Sequence, residues 1–128
     1  MKEIKAVQTS DAPAAVGPYS QAIRAGNLMF LSGQIPLDPV SGKIVGDTVA
    51  AQTERIMHNI KAVLASQGMD FSHIIKATVF LRDMGTFPEF NEAYSKFLKP
   101  PYPARSTVEV SRLPKEALVE IETIACIS

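Results

Sequence analysis

This sequence has little cysteine and no long apolar run. Cys126 is its one cysteine, which excludes an intramolecular disulfide and a cysteine metal cluster. No stretch approaches the roughly 20 apolar residues that a membrane helix needs, and the first residues lack the apolar core of a signal peptide. We therefore expect a soluble, cytoplasmic protein without a metal site.

An excess of charge of one sign is also absent. The 13 Lys and Arg residues balance the 13 Asp and Glu residues, so the formal net charge is zero. With no run of basic residues, this balance argues against a nucleic-acid partner or a membrane surface. Material for a core is present, because 46% of the 128 residues are hydrophobic. We expect one domain over residues 1–128.

Apolar residues at helical spacing predict two amphipathic helices, at residues 48–67 and 87–98. Asp47 or Thr48 can cap the first helix at its N-terminus, and Gly68 can end it. Thr86 and Glu89 stand at capping-box spacing at the start of the second helix. Both helices therefore carry their own start signals.

Short strands are predicted between the turn-forming residues, at 2–8, 20–25, 28–32, 74–82, 104–110 and 117–127. Gly26 and Asn27 predict a hairpin turn between the second and third strands. The order predicts an α+β fold with a six-stranded mixed sheet and both helices on one face. Because the strands at 74–82 and 119–127 are apolar on both sides, the second face must meet another surface. A homo-oligomer packed sheet against sheet is the simplest expectation.

Two charged residues interrupt the last strands, Arg105 and Glu120. If these strands pair antiparallel through the loop at Pro114, Arg105 lies near Glu120 or Glu122 when the register suits. Such a pair can be a structural salt bridge. It can also be an arginine fork for a substrate carboxylate beside a general acid/base. The sequence pattern leaves both open.

The other candidates are weaker. His58 and His73 are expected to be exposed or structural rather than metal ligands, and Cys126 is expected to be a core residue. Gly33, in the segment 32–34, could let backbone approach a ligand or could simply form a turn. No phosphate loop, dinucleotide fingerprint or nucleophile elbow is present.

Several motifs in order along the chain resemble the Rid family, also called the YjgF family. They are 12–21 (APAAVGPYSQ), 32–36 (SGQIP), 76–81 (KATVFL), 90–92 (FNE), 103–114 (PARSTVEVSRLP) and 119–122 (VEIE). The resemblance covers essentially the whole chain and is greatest to the imine-deaminating branch, which carries both the Arg and the Glu. It implies a fold similar to chorismate mutase of the bacterial trimeric type. It also implies a homotrimer with three sites in clefts between subunits.

The resemblance also implies roles for individual residues. Arg105 matches the residue that holds the substrate carboxylate, and Glu120 matches the one that orients or activates water. The positions that match the pocket lining are Tyr19, Ser32, Gly33, Asn91 and Thr107. Thr107 stands where many relatives have cysteine, which puts any thiol contact there in doubt.

The activity so implied is hydrolysis of 2-imino acids, such as 2-iminobutanoate or 2-iminopropanoate, to 2-keto acids and ammonia. The substrates would come from pyridoxal-phosphate-dependent dehydratases, and no metal or organic cofactor is expected in this protein. Two alternatives remain open at this point. One is a regulatory trimer that binds small metabolites, and the other is an endoribonuclease or translation inhibitor, against which the zero net charge argues.

Overall fold

The computed structural model describes residues 3–127, in which six strands form one mixed sheet. The strands are β1 (Ile4–Val7), β2 (Ala22–Ala25), β3 (Leu28–Gln34), β4 (Ile74–Leu81), β5 (Ala104–Glu109) and β6 (Val119–Cys126). Their order across the sheet is β1-β2-β3-β6-β4-β5. Only β4 and β5 pair in parallel, and the other neighbours are antiparallel. The predicted α+β class with a six-stranded mixed sheet is confirmed.

The first helix, α1 (Val49–Ala65), follows the predicted pattern closely. The Thr48 hydroxyl accepts a hydrogen bond from the Ala51 backbone N–H, so Thr48 is the cap rather than Asp47. Gly68 follows the helix with a φ of 72°, the left-handed conformation that commonly ends a helix. The apolar stripe of α1 is buried against the sheet and comprises Val49, Ile56, Ile60, Val63 and Leu64.

The second helix, α2 (Phe87–Ser95), is shorter than predicted. The chain tightens after Ser95, where backbone N–H groups bond to carbonyls three residues back, so the α-helix stops before Leu98. The predicted capping box is wrong. Thr86 donates its hydroxyl to the Asp83 carbonyl instead. The Glu89 carboxylate accepts from the backbone N–H of Ala50, which links α2 to the start of α1.

Two strands depart from strict alternation. The register of β4 against β6 shifts between Ile74 and Lys76, so Ile74 is buried and Ile75 is 47% exposed, whereas strict alternation would place Ile75 on the buried face of Ala77. β3 continues past residue 32 to Gln34 through a second irregularity. The first strand was predicted at residues 2–8 and is observed at Ile4–Val7; residue 2 lies outside the described residues. These irregularities were not visible in the apolar pattern.

The two faces of the sheet have different surroundings. Ala77, Val79 and Leu81 face the helices and are fully buried. The other face of the sheet carries apolar side chains that no described residue covers, among them Phe30 and Val108, each 44% exposed. Both helices therefore lie on one face, as predicted. No helix among residues 3–127 is long and apolar enough to cross a bilayer.

Candidate functional site

The sheet topology separates Arg105 from Glu120. β5 pairs with one edge of β4, and β6 pairs with the other edge, so β5 and β6 are not neighbours. Arg105 is level with Ala77, whereas Glu120 is level with Phe80. Residues paired across a ladder share a face, and successive residues alternate. Arg105 therefore faces the helices and Glu120 faces the open side.

The hypothesis that Arg105 meets Glu120 by direct antiparallel pairing of the last two strands is wrong. The loop around Pro114 does not close a hairpin, because it carries the chain past β4 before β6 begins. Within one chain the two side chains leave the sheet in opposite directions, from strands about 10 Å apart. A small substrate cannot contact both groups of the same chain.

The first half of the candidate site surrounds Arg105, which is half-buried on β5 beside α2. Its guanidinium carbon lies 5.4 Å from the ring centroid of Phe87, 5.6 Å from that of Phe90 and 5.2 Å from that of Tyr94. Within residues 3–127, Arg105 has neither an ion-pair partner nor a side-chain hydrogen bond. Its N–H groups are thus available to a carboxylate from outside the chain.

Two further polar atoms of this half lack partners. Asn91 Oδ1, on α2, and Thr107 Oγ1, on the same face of β5 as Arg105, are buried without a hydrogen bond. A buried polar atom without a partner costs roughly 1–3 kcal/mol, which a polar ligand or a water would recover. Of the predicted pocket residues, the fold thus places Arg105, Asn91 and Thr107 in the β5–α2 region.

The second half of the candidate site surrounds Glu120. Its half-buried side chain lines a cavity of about 830 Å³ together with Tyr19, Ser32 and Gly33. The structure therefore brings together four of the predicted residues here. Further lining residues come from two loops that sequence reasoning did not single out: Leu37, Asp38, Val40, Ser41, Pro114 and Lys115.

Gly33 makes room for the Glu120 carboxylate. Ser32 and Gly33 occupy the irregularity between Leu31 and Gln34, where β3 has one residue more than β6. A Cβ on Gly33 would overlap Glu120 Oε2 and would lie 3.0 Å from its Cδ. The sequence left open whether this glycine lets a ligand approach or simply forms a turn, and in the structure the Glu120 side chain of the same chain packs against it.

The surroundings of Glu120 favour its protonated form. Burial raises the pKa of the Glu120 carboxyl above its ordinary value, and the nearby Glu122 carboxylate raises it further. No hydrogen bond or salt bridge among residues 3–127 offsets these effects. A raised pKa lets a carboxyl group hold its proton at a higher pH than a free carboxyl does, which suits a group that donates and accepts protons.

Local hydrogen bonds position the remaining cavity groups. The Ser32 hydroxyl donates to the Ser20 carbonyl at 2.6 Å, which leaves its lone pairs to accept. Tyr19 is 54% exposed, and its hydroxyl accepts from the Val16 N–H at 3.4 Å. The loop that bears Tyr19 is anchored by the buried amide of Gln21, which bonds to the backbone of 9, 12 and 13.

Asn59 is a supporting residue that the sequence analysis missed. It is fully buried on α1, and its amide donates to the carbonyls of Leu37, at 3.0 Å, and Ile35. Its Oδ1 accepts two bonds from Arg55. Asn59 thereby ties the loop along the cavity to the helix. The available signal was an amide residue at a buried position next to the apolar stripe of the helix.

The weaker candidates lie apart from both halves. His58 is exposed on α1 with its ring edge-on to Phe97, and the His73 ring pairs with Asp70 in a short helical turn. Cys126 is half-buried beside Leu28 on the open side, so its predicted core position is wrong. The described part of the chain contains no cluster of three or more metal-ligating side chains.

Comparisons with known proteins agree with one another on the family. The family model described as Endoribonuclease L-PSP matches residues 9–127. Protein DfrA of Myxococcus xanthus is 52% identical over 123 residues, 94% of each chain. The chloroplastic Reactive Intermediate Deaminase A of Arabidopsis thaliana is 49% identical over 119 residues, 93% of this chain and 64% of that protein.

Solved structures match the fold as well as the sequence. RidA from an Antarctic Psychrobacter has a TM-score of 0.93 at 41% identity, over 96% of this chain and 99% of that one. TdcF of E. coli, solved with bound serine, has a TM-score of 0.92 at 42% identity, over 97% and 99%. The fold is the expected chorismate-mutase-like one.

Proposed function

Since this chain belongs to the Rid (YjgF, L-PSP) family, we propose that it hydrolyses 2-imino acids to 2-keto acids and ammonia. The substrates are small imines such as 2-iminobutanoate and 2-iminopropanoate, the products of pyridoxal-phosphate-dependent dehydratases. One observation carries the proposal. The Arg105 guanidinium and the Glu120 carboxyl, whose pKa is raised, are both half-buried, and neither has an ion-pair or side-chain hydrogen-bond partner among residues 3–127.

The active site in this proposal is composite. Arg105 and Glu120 face opposite sides of one sheet, so a substrate that needs both must lie between two copies of the chain. The uncovered apolar face of the sheet supplies a surface for such association. We therefore propose a homotrimer in which Arg105, Asn91 and Thr107 of one subunit face the Glu120 cavity of the next.

Arg105 binds the substrate in this proposal. Its planar fork donates two parallel hydrogen bonds to the carboxylate, which fixes the position of the adjacent C=N carbon. Asn91 Oδ1 and Thr107 Oγ1 accept or share hydrogen bonds with the substrate's polar groups or with a bound water. Binding satisfies groups that are left without partners in the single chain.

Glu120 performs the proton transfers in this proposal. Its carboxylate accepts a proton from water as the oxygen attacks the imine carbon, and its carboxyl returns a proton to the nitrogen. Glu120 then transfers the hydroxyl proton of the tetrahedral adduct to the amine, and the C–N bond breaks to release ammonia and the keto acid. The raised pKa of Glu120 suits a group that must hold the proton between the two steps. Tyr19 and Ser32 lie in the same cavity, where their hydroxyls can bind the attacking water.

A coupled assay tests the activity. Threonine dehydratase generates 2-iminobutanoate in the presence of semicarbazide, which captures the imine before it hydrolyses. We expect the wild-type protein to lower the semicarbazone yield and Arg105→Ala to restore it to the level without protein. Arg112→Ala is the matched control, because Arg112 is an exposed arginine outside both halves of the site. Equal activity of Arg105→Ala and wild type would refute the role of Arg105.

Mixed oligomers test the composite site. Arg105→Ala and Glu120→Ala chains are each expected to be inactive alone. Co-assembled in equal amounts, they should regain about a quarter of the wild-type activity, because about one site in four then combines both intact residues. Light scattering should give the mass of three chains. No recovery in verified mixed trimers would place both residues in the same subunit's site.

A binding function without catalysis is the second candidate, and the serine bound to TdcF of E. coli is the observation that favours it. Arg105 would bind a free carboxylate under either function. If the protein only binds its ligand, 2-oxobutanoate binds and the semicarbazone yield does not change. The coupled assay therefore distinguishes the two candidates.

A further inference from the structure

The way in which Arg105 is held in place is unusual for a half-buried arginine. Buried charges are ordinarily paired with an opposite charge. Arg105 instead stands among the rings of Phe87, Phe90 and Tyr94, at 5.2–5.6 Å from its guanidinium carbon to each centroid. All three rings belong to α2, at positions i, i+3 and i+7, which lie on one face of a helix. We call them the α2 aromatic cage.

We infer that the α2 aromatic cage positions Arg105 for the substrate carboxylate. The inference rests on the proposed function, in which Arg105 binds that carboxylate. Phe87, Phe90 and Tyr94 are positioning residues here, because they act through Arg105.

The chemistry of the contact explains why rings serve better than an acid. The face of an aromatic ring attracts a cation but accepts no strong hydrogen bond from it. A carboxylate neighbour would neutralise the guanidinium and occupy the same N–H groups that the substrate needs. Ring contacts restrict the side chain while leaving both its charge and its N–H groups for a ligand.

The rings are themselves fixed. Phe90 is fully buried and stacks on Tyr94 with a centroid distance of 5.2 Å and an interplanar angle of 29°. Tyr94 is 7% exposed. Burial raises the pKa of the Tyr94 hydroxyl, and the positive charge of the nearby Arg105 opposes that rise. Phe87 is half-buried at the first turn of α2, which makes it the ring that can be replaced with least damage to the core.

Kinetics of ring-removing variants test the inference. Phe87→Leu and Tyr94→Leu should each raise KM by about two- to thirty-fold, the range that loss of one cation–π contact gives. The kcat should stay within about twofold, because carboxylate binding is shared by ground state and transition state. Tyr94→Phe keeps the ring and should keep the wild-type KM. Phe97→Leu is the matched control, since Phe97 is a half-buried ring that contacts His58 and Phe71 instead of Arg105.

Nuclear magnetic resonance provides a readout that does not depend on activity. In the trimeric wild-type protein, ring currents should displace the Arg105 side-chain resonances, and Phe87→Leu should move them toward random-coil values while Phe97→Leu does not. Equal KM changes for Phe87→Leu and Phe97→Leu, or unmoved Arg105 resonances in Phe87→Leu, would overturn the inference. If the wild type hydrolyses no imine, the proposed function fails. The Arg105 side-chain resonances and the Kd of 2-oxobutanoate still decide whether the α2 aromatic cage positions Arg105.

Discussion

Replacement of Gly33 by alanine should damage catalysis while leaving the fold intact. The new Cβ would overlap Glu120 Oε2 and would lie 3.0 Å from Cδ and 3.3 Å from Cγ of the same side chain. Ordinary contacts between such atoms are about 3.5–4.0 Å. The carboxyl group must therefore retreat by on the order of 1 Å. A displacement of that size in a reacting group costs about 100-fold in rate.

The cost to stability should be small. The atoms that must move are the end of a flexible side chain, and Gly33 is not among the glycines with positive φ, so alanine fits its backbone. Loss of glycine's freedom in the unfolded chain offsets part of the crowding, by about 0.4–1 kcal/mol. We expect kcat for 2-iminobutanoate to fall about 10- to 100-fold, with the free energy of unfolding changed by less than about 1 kcal/mol.

The coupled semicarbazone assay and urea unfolding measure the two quantities. Gly85→Ala is the control, because its Cβ would also crowd a carboxylate, at 3.0 Å from Asp83 Oδ1, but outside the cavity. In a Glu120→Ala background, which has no activity to lose, Gly33→Ala should no longer lower the free energy of unfolding by crowding, because the crowded group is gone. A wild-type kcat for Gly33→Ala in the otherwise unchanged protein would refute this reasoning.

Two further predictions concern stability. Burial and Glu122 raise the pKa of Glu120, so the folded state binds the Glu120 proton more tightly than the unfolded chain does. The free energy of unfolding therefore falls as the pH rises from the pKa of the unfolded chain, about 4.3, through the pKa of the folded state. Glu120→Gln should therefore have a higher free energy of unfolding than wild type at pH 7 but not at pH 4. Urea unfolding at equal protein concentration measures this difference. The same difference at both pH values would contradict the prediction. Asn59→Ala should cost about 2–4 kcal/mol in the same measurement, since it leaves the Leu37 carbonyl and the Arg55 charge without their partner. A cost below about 0.5 kcal/mol would show that water replaces the amide.

Much of the architecture could be predicted from the sequence because its signals are local. The apolar stripe of α1 and the Thr48 cap depend on residues within a few positions of one another, and the structure confirms both. The sequence also has more apolar strand faces than its two helices can cover, which predicted the uncovered face of the sheet. The motifs that resemble the Rid family identified the family, as the comparisons confirm.

Tertiary structure alone decided what depends on pairing between distant segments. A one-residue irregularity exchanged the faces of Ile74 and Ile75, because side chains alternate with a period of two and one extra residue reverses them. The order of strands placed β4 between β5 and β6, and the register of each against β4 put Arg105 and Glu120 on opposite faces of the sheet. The identities of the two charged residues could thus be read from the chain. Their separation followed only from the register of hydrogen bonds between strands that are far apart in sequence.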